Sequence, residues 1–267
     1  MMKKGFLLIL LVFFTLTFPS CLHKEGKEQL TGIWLLQESE NEPVSPRHAM
    51  VLEFLPDGKL TVARISENGP GYSSKWIEYS QTGSWRLFGR RLTLKGRFDY
   101  INQLTAKATL DQLDADSMSY TLRGHKTSQL DQMSWRKPFQ RKFVKAARSD
   151  SLFYGSWDMI SLTGHQIDYR FTFNEDHTYY FFQNLDGSWQ NIKDYQGSWY
   201  AYGNLICINH HFDLFDIERF YEPTVQCFYF SRQEDDGDEI IRLYPDDNDW
   251  MGEFKFKRSK GSNTKDE

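Results

Sequence analysis

His210-His211, followed closely by Asp213 and Asp216, is the best metal-ligand candidate in the sequence. Zinc needs three or four convergent ligands. Adjacent histidines on a strand point to opposite faces, so this pair enters one small site only through a bend. No bound metal is expected. Asp246-Asp247-Asn248-Asp249 has the acid density of a calcium loop but lacks the glycine and the bidentate glutamate of an EF-hand, and reads as a solvated turn. The acidic run at 234–239 (EDDGDE) reads as a hairpin tip. No Gly-x-Ser-x-Gly elbow, P-loop or dinucleotide fingerprint occurs, and no spacing of Ser, His and Asp singles out a triad. The expectation is a protein that is not an enzyme and uses no cofactor.

The cysteines carry more information. Lys3 and Lys4 precede an apolar run from Gly5 to Phe18, broken only by Thr15 and Thr17, which is the layout of a secretory signal. Its 14 residues fall short of the roughly 20 that a membrane-spanning helix needs. At its end, Phe18-Pro19-Ser20-Cys21 resembles the lipobox of bacterial lipoproteins, whose cysteine is acylated and becomes the new N-terminus. That resemblance implies a signal peptide at 1–20, lipidation at Cys21 and a polar tether at 21–29. It also implies that the membrane is a partner through the N-terminal lipid, on the periplasmic or surface face of a bacterial cell envelope. Two or more acyl chains make such an anchor stable, at about 0.8 kcal/mol per buried CH₂.

Cleavage leaves 247 residues (267 less 20), and loss of Lys3 and Lys4 moves the formal charge from −4 to −6. So acidic a chain has no general attraction for nucleic acid. Its length suits one large domain or two small ones. Two readings of Cys207 and Cys227 stay open. They pair in an oxidising compartment, closing a loop of about 20 residues, or they are buried thiols on neighbouring strands.

The elements that position these residues come from an internal repeat. Gly32-Ile33-Trp34 matches Gly155-Ser156-Trp157, Phe54-x-x-Asp57 matches Phe173-x-x-Asp176, and Gly83-Ser84-Trp85 matches Gly197-Ser198-Trp199. Gly89 matches Gly203, Trp76 matches Trp189, and Trp135-x-x-x-Phe139 matches Trp250-x-x-x-Phe254. The offset drifts only from 123 (155 less 32) to 113 (189 less 76), as loop insertions and deletions would produce. Each copy reads as short alternating strands divided by turn signals such as Pro56-Asp57-Gly58 and Asp235-Asp236-Gly237. Roughly eight strands in about 120 residues indicate a closed antiparallel barrel or a sandwich. A short helix or a loop at 212–220 is the one non-strand candidate. The boundary falls in the polar and basic stretch 140–150.

Gly-x-Trp on the first strand of a small up-and-down barrel resembles the first signature of the lipocalins, and the repeated Gly-Ser-Trp hairpin resembles the lipocalin-like domains of bacterial envelope lipoproteins. The resemblance implies an all-β chain of two tandem lipocalin-like barrels, at 30–144 and 151–258, with a linker at 145–150 and a polar tail at 259–267. Gly32, Trp34, Gly83, Trp85, Gly155, Trp157, Gly197 and Trp199 are then scaffold residues. In that family a basic residue of the last strand packs over the first tryptophan. Arg141 and Arg258 are the candidates, with Lys257 as an alternative. The late Thr-Asp-Tyr motif of secreted lipocalins is missing.

Aromatic residues make up 16% of the chain and cluster in the second copy, where they fill a core or line a pocket or exposed surface. The functional expectation is a non-catalytic envelope protein that binds a small apolar ligand in at least one barrel. The other expectation is an interaction module with filled barrels that contacts an envelope protein or polysaccharide.

Overall fold

A computed structural model describes residues 25–67, 74–96, 104–127, 138–160, 166–193, 196–212, 220–244 and 254–260. The first sheet contains β1 (Gly32–Ser39), β2 (Glu42–Pro43), β3 (Met50–Phe54), β4 (Lys59–Glu67), β5 (Ser74–Phe88), β6 (Arg91–Gly96), β7 (Leu104–Leu113), β8 (Ser117–Thr127) and β9 (Phe139–Ala146). The strands pair with their sequence neighbours, β9 pairs back onto β1, and the two-residue β2 hangs from the edge of β1. Eight antiparallel strands thus close a barrel.

The second sheet contains β10 (Gly155–Ile160), β11 (Gln166–Phe173), β12 (Thr178–Leu185), β13 (Ser188–Asn191), β14 (Gly197–Tyr202), β15 (Leu205–Phe212), β16 (Phe220–Asp235), β17 (Asp238–Tyr244) and β18 (Phe254–Arg258). It closes through β10–β18 and β11–β12, with β13 as a flap on β12. The fold is the expected pair of tandem, closed, eight-stranded antiparallel barrels.

Alternation drives this closure. Along β6 the exposed Arg91 and Lys95 and the half-buried Thr93 alternate with the buried Leu92 and Leu94. In the second barrel Phe171 and Phe173 on β11 are the register partners of Phe181 and Tyr179 on β12, and all four belong to the core. Closure also pairs the sheet edges that would otherwise invite another chain.

By compactness the chain divides into two units, one drawn from Met1–Pro43, Val51–Ala63 and Glu78–Lys145, the other from Val44–Met50, Arg64–Ile77 and Ala146–Glu267. Two segments from within the first sheet's span are therefore counted with the second unit. The stretch read as linker is ordered there: Ser149 N–H donates to Ala201 O at 3.2 Å, and the buried Asp150 accepts from Ala201 N–H at 2.9 Å. Strand β9 continues through Ala146, past the expected end of the barrel at 144. Residues 25–29, expected as the end of a polar tether, are helical together with Leu30, which is completely buried.

Candidate functional site

Each barrel is closed by its Gly-x-Trp tryptophan. Trp34 is fully buried, and its indole N–H donates to Leu30 O at 2.8 Å. Trp157 is placed the same way, donating to Phe153 O at 2.6 Å. In both cases the acceptor lies four residues upstream, so the chain entering the barrel folds under the ring. One polar contact for one N–H is what a buried indole requires.

A cation covers each ring. Arg258 lies 4.2 Å from the centroid of Trp157, donates to Tyr154 O at 2.7 Å and Leu152 O at 3.1 Å, and pairs with Glu239. This is the role expected for Arg258. In the first barrel the cation is Lys145, 4.5 Å over Trp34 and donating to Gln29 O at 2.9 Å and Thr31 O at 2.6 Å. Arg141, the expected candidate, sits two pleats away with its guanidinium 5.1 Å from the Phe139 ring. The reason is register. Lys145 and Arg258 occupy equivalent positions, which aligns Phe143 with Phe256 and Arg141 with Phe254. The sequence match of Phe139 with Phe254 is out of register by the same two residues.

The Gly-x-Trp glycines now have a physical cause. Gly32 has φ +122° and Gly155 has φ +98°, a region L side chains rarely adopt. A Cβ on Gly32 would stand 3.0 Å from Lys145 Cε, and one on Gly155 3.3 Å from an Arg258 nitrogen. The missing Cβ leaves room for the cation over the indole.

The Gly-Ser-Trp glycines answer a tighter constraint. A Cβ on Gly83 would meet Lys95 O at 2.6 Å, and one on Gly197 would meet Asn209 O at 1.9 Å. Backbone carbonyls cannot swing aside as side-chain ends do. The following tryptophans staple the first hairpin of each barrel. Trp85 donates to Leu55 O and Trp199 to Thr178 O, each at 3.0 Å. Their rings lie on Phe54 at 5.5 Å and Phe173 at 5.0 Å. The third tryptophan pair is not equivalent in its surroundings. Trp189 is partly exposed on β13 with the Arg170 guanidinium 4.1 Å above it, whereas Trp76 is 2% exposed.

The interiors differ more than the ends. In the second barrel Phe171 contacts Phe173, Tyr179, Phe181 and Phe256, with centroids 5.0–5.9 Å apart, and Phe228 meets Phe254 at 5.8 Å. A void among Phe153, Trp157, Phe173 and Ile241 measures about 10 Å³, the lower limit for one water. Among the described residues the buried Tyr179 hydroxyl has no hydrogen-bond partner, and burial pushes its phenol well above the usual range. In the first barrel the register places Leu52 where the second has Phe171, Val62 against Phe181, Leu60 against Tyr179, and Ala108 against Phe228. Leu87 and Tyr120, against Ala201 and Leu243, run the other way.

Cys207 and Cys227 are register partners on β15 and β16, with Cα atoms 4.1 Å apart, and form a disulfide. Both are buried but stand outside the barrel's core cluster, on the opposite face of the sheet. His210 and His211 fall on β15, while Asp213, Asp216 and residues 246–249 lie outside the described residues, as does Cys21. No group of three or more His, Cys, Asp or Glu side chains among the described residues converges as a metal site would. Residues 234–239 form the expected hairpin tip, exposed at Glu234, Asp235, Asp236 and Gly237, with Asp238 and Glu239 half-buried in ion pairs. Asp238 pairs with Lys257 and Lys260, at 2.5 and 2.6 Å, and Glu239 with Arg232 at 2.6 Å and with Arg258.

The fold and its closed ends are consistent with a tandem lipocalin-like arrangement. No family model matches the chain, and no curated protein matches it at a significant level.

Proposed function

We propose that this is a non-catalytic envelope lipoprotein, anchored through Cys21, whose first barrel holds a small apolar ligand. The observation that carries this reading is the replacement of rings in the second barrel by Leu52, Val62, Leu60 and Ala108 in the first, on the same scaffold. A small eight-stranded barrel has room for its own side chains or for one small ligand. The second barrel spends that room on phenylalanine. Its filled core favours a second role for that half, as an interaction module facing an envelope partner.

Native mass spectrometry of residues 22–267, which include every described residue, tests the ligand reading after incubation with an envelope lipid extract. The expected result is a discrete added mass that Ala108→Phe abolishes. Phenylalanine already occupies the equivalent position of the second barrel, so that variant should fold. A bare mass for the unaltered chain would move the assignment to an interaction module throughout. The anchor has its own check: Cys21→Ala should shift the protein from the membrane fraction to the soluble envelope fraction.

A further inference from the structure

We infer that the outer face of β5, β6 and β7 in the first barrel docks on the anionic lipid surface to which the chain is tethered, with Phe88 entering the bilayer interface. The position of that surface rests on the reading of Cys21 as a lipid anchor. The face is carried by Arg86 and Phe88 on β5, Arg91 and Lys95 on β6, and Lys107 on β7. Phe88 pairs with Arg91, Arg86 with Thr93, and Thr93 with Lys107, and residues directly opposite one another share a face of the sheet. All five are exposed, and Phe88, at 77%, is the most exposed large hydrophobic side chain among the described residues. The positions between them, Ser84, Thr93, Thr105 and Thr109, are uncharged. Asp111, Asp114 and Asp116 bound the face at the next hairpin.

The scaffold does not require these cations. The same register runs through β14, β15 and β16, where Tyr202 stands for Phe88, Leu205 for Arg91, Asn209 for Lys95 and Cys227 for Lys107. There the face is apolar and covered: Tyr202, Leu205 and Cys227 are buried, the Trp76 ring lies 6.1 Å from Tyr202, and the Tyr229 hydroxyl donates to Val44 O at 2.7 Å. Val44 and Trp76 both belong to the second unit. In the first barrel the matching positions are cationic and the one ring among them is exposed. Lys and Arg gain from negative head groups, and an aromatic ring gains from burial at the boundary with the acyl chains. The chain as a whole carries a formal charge of −4, so its attraction to anionic lipid has to be local. The N-terminus supplies the direction. Gly26 lies against Leu87, the residue before Phe88, whose Cδ2 would be 3.4 Å from a Cβ placed on that glycine. Four residues (25 less 21) separate Glu25 from Cys21, a reach of at most about 14 Å. Acyl chains on Cys21 therefore enter the membrane close to the β5–β6 hairpin.

The test is co-sedimentation of residues 22–267, which lack the lipid, with vesicles of phosphatidylcholine alone or mixed with an equal part of phosphatidylglycerol. The unaltered chain should bind the mixed vesicles at least about tenfold more strongly, and added sodium chloride should erase the difference. Phe88→Ser should weaken binding to the mixed vesicles about tenfold, whereas Phe88→Trp should preserve it. Arg91→Gln combined with Lys107→Gln should remove most of the preference for phosphatidylglycerol. Equal binding to both vesicles, or binding to neither, would overturn the docking face. A loss on the paired glutamine changes with none on Phe88→Ser would also overturn it, and would assign the basic patch to a soluble polyanion. If Phe88→Ser does not fold, the vesicle preference, its salt dependence and the glutamine variant still decide. The anchor is judged separately, by the intact mass of the protein extracted from cell membranes. A mass without acyl chains would sink the anchor, while Phe88-dependent binding of the unlipidated chain would still support the face.

Discussion

At the closed end of the first barrel a lysine lies over Trp34 and is held by two backbone carbonyls, while at the closed end of the second an arginine over Trp157 is held by two carbonyls and a carboxylate. Both lie against a glycine with positive φ. The comparison separates what the barrel demands from what it tolerates. It demands a missing Cβ, an indole and a cationic donor for the carbonyls that the incoming chain leaves exposed. It tolerates either cation. Arginine adds Glu239, itself paired with Arg232, so the second lid belongs to a charge network. Lysine stands more alone: burial pulls its pKa below the usual value, and only the opposing charge of Asp116 raises it.

The largest difference between the barrels is expected from their second glycines. Gly197→Ala would drive a Cβ to 1.9 Å from a backbone oxygen, whereas Gly83→Ala meets one at 2.6 Å. Both require strands to part. Gly197→Ala should cost more than the roughly 3 kcal/mol typical of severe overpacking and unfold the second barrel, and Gly83→Ala should cost somewhat less. Hydrogen exchange resolved by barrel measures each. Equal and small losses would mean that β14 and β15 pack less closely than the 1.9 Å approach to Asn209 O requires.

The lids come next. Arg258→Met strands two carbonyls and removes one partner of Glu239, an expected loss of about 2–3 kcal/mol from the second barrel. Lys145→Met also strands two carbonyls but deletes a partly desolvated charge, so the first barrel should lose only about 1 kcal/mol. Urea denaturation with the same barrel-resolved exchange gives the ranking. A larger loss from Lys145→Met would show that the ion-pair network contributes little beyond the carbonyl bonds.

The sequence made the two barrels legible because their closing residues are chemically rare. Tryptophan and glycine at fixed spacing mark the scaffold even where strand lengths differ. The lid of the first barrel was not legible, because the residue type that matched Arg258 was Arg141 while the position that matched it held Lys145. Only the strand pairing, Met118 with Phe143 and Ile241 with Phe256, shows which residue faces which ring. The stretch at 140–150 misled for a related reason. Its Lys and Arg residues look solvated, yet β9 runs through Ala146 and Asp150 is buried against the Ala201 amide. The interior contrast was half visible: the aromatic excess of the second copy is plain in the sequence, but its inward orientation depends on register.

The smallest expected effect compares the turns of two matching hairpins, β7–β8 and β16–β17. Between β7 and β8, Asp114 accepts from Ser117 N–H at 2.6 Å, Ser117 Oγ and Gln112 Nε2 each at 2.8 Å, and Asp116 N–H at 3.1 Å. These neutral donors hold its carboxyl at about 2, against an ordinary 3.8. Between β16 and β17 the turn instead uses left-handed Asp236 and Gly237, and Asp238 beside it is held low chiefly by Lys257 and Lys260. The depressed carboxyls bind fewer protons folded than unfolded, so each contributes stability above its ordinary value and loses it as the pH falls through the folded value. For Asp114 that window runs from about 3.8 down to about 2. Because its partners are uncharged, the Asp114 midpoint read by carboxyl-carbon NMR should stay fixed when sodium chloride is raised. The Asp238 midpoint should move up toward the ordinary value as salt screens the two lysines. If the Asp114 midpoint moves as far as that of Asp238, the first turn is held by charge and the distinction between the two hairpins fails.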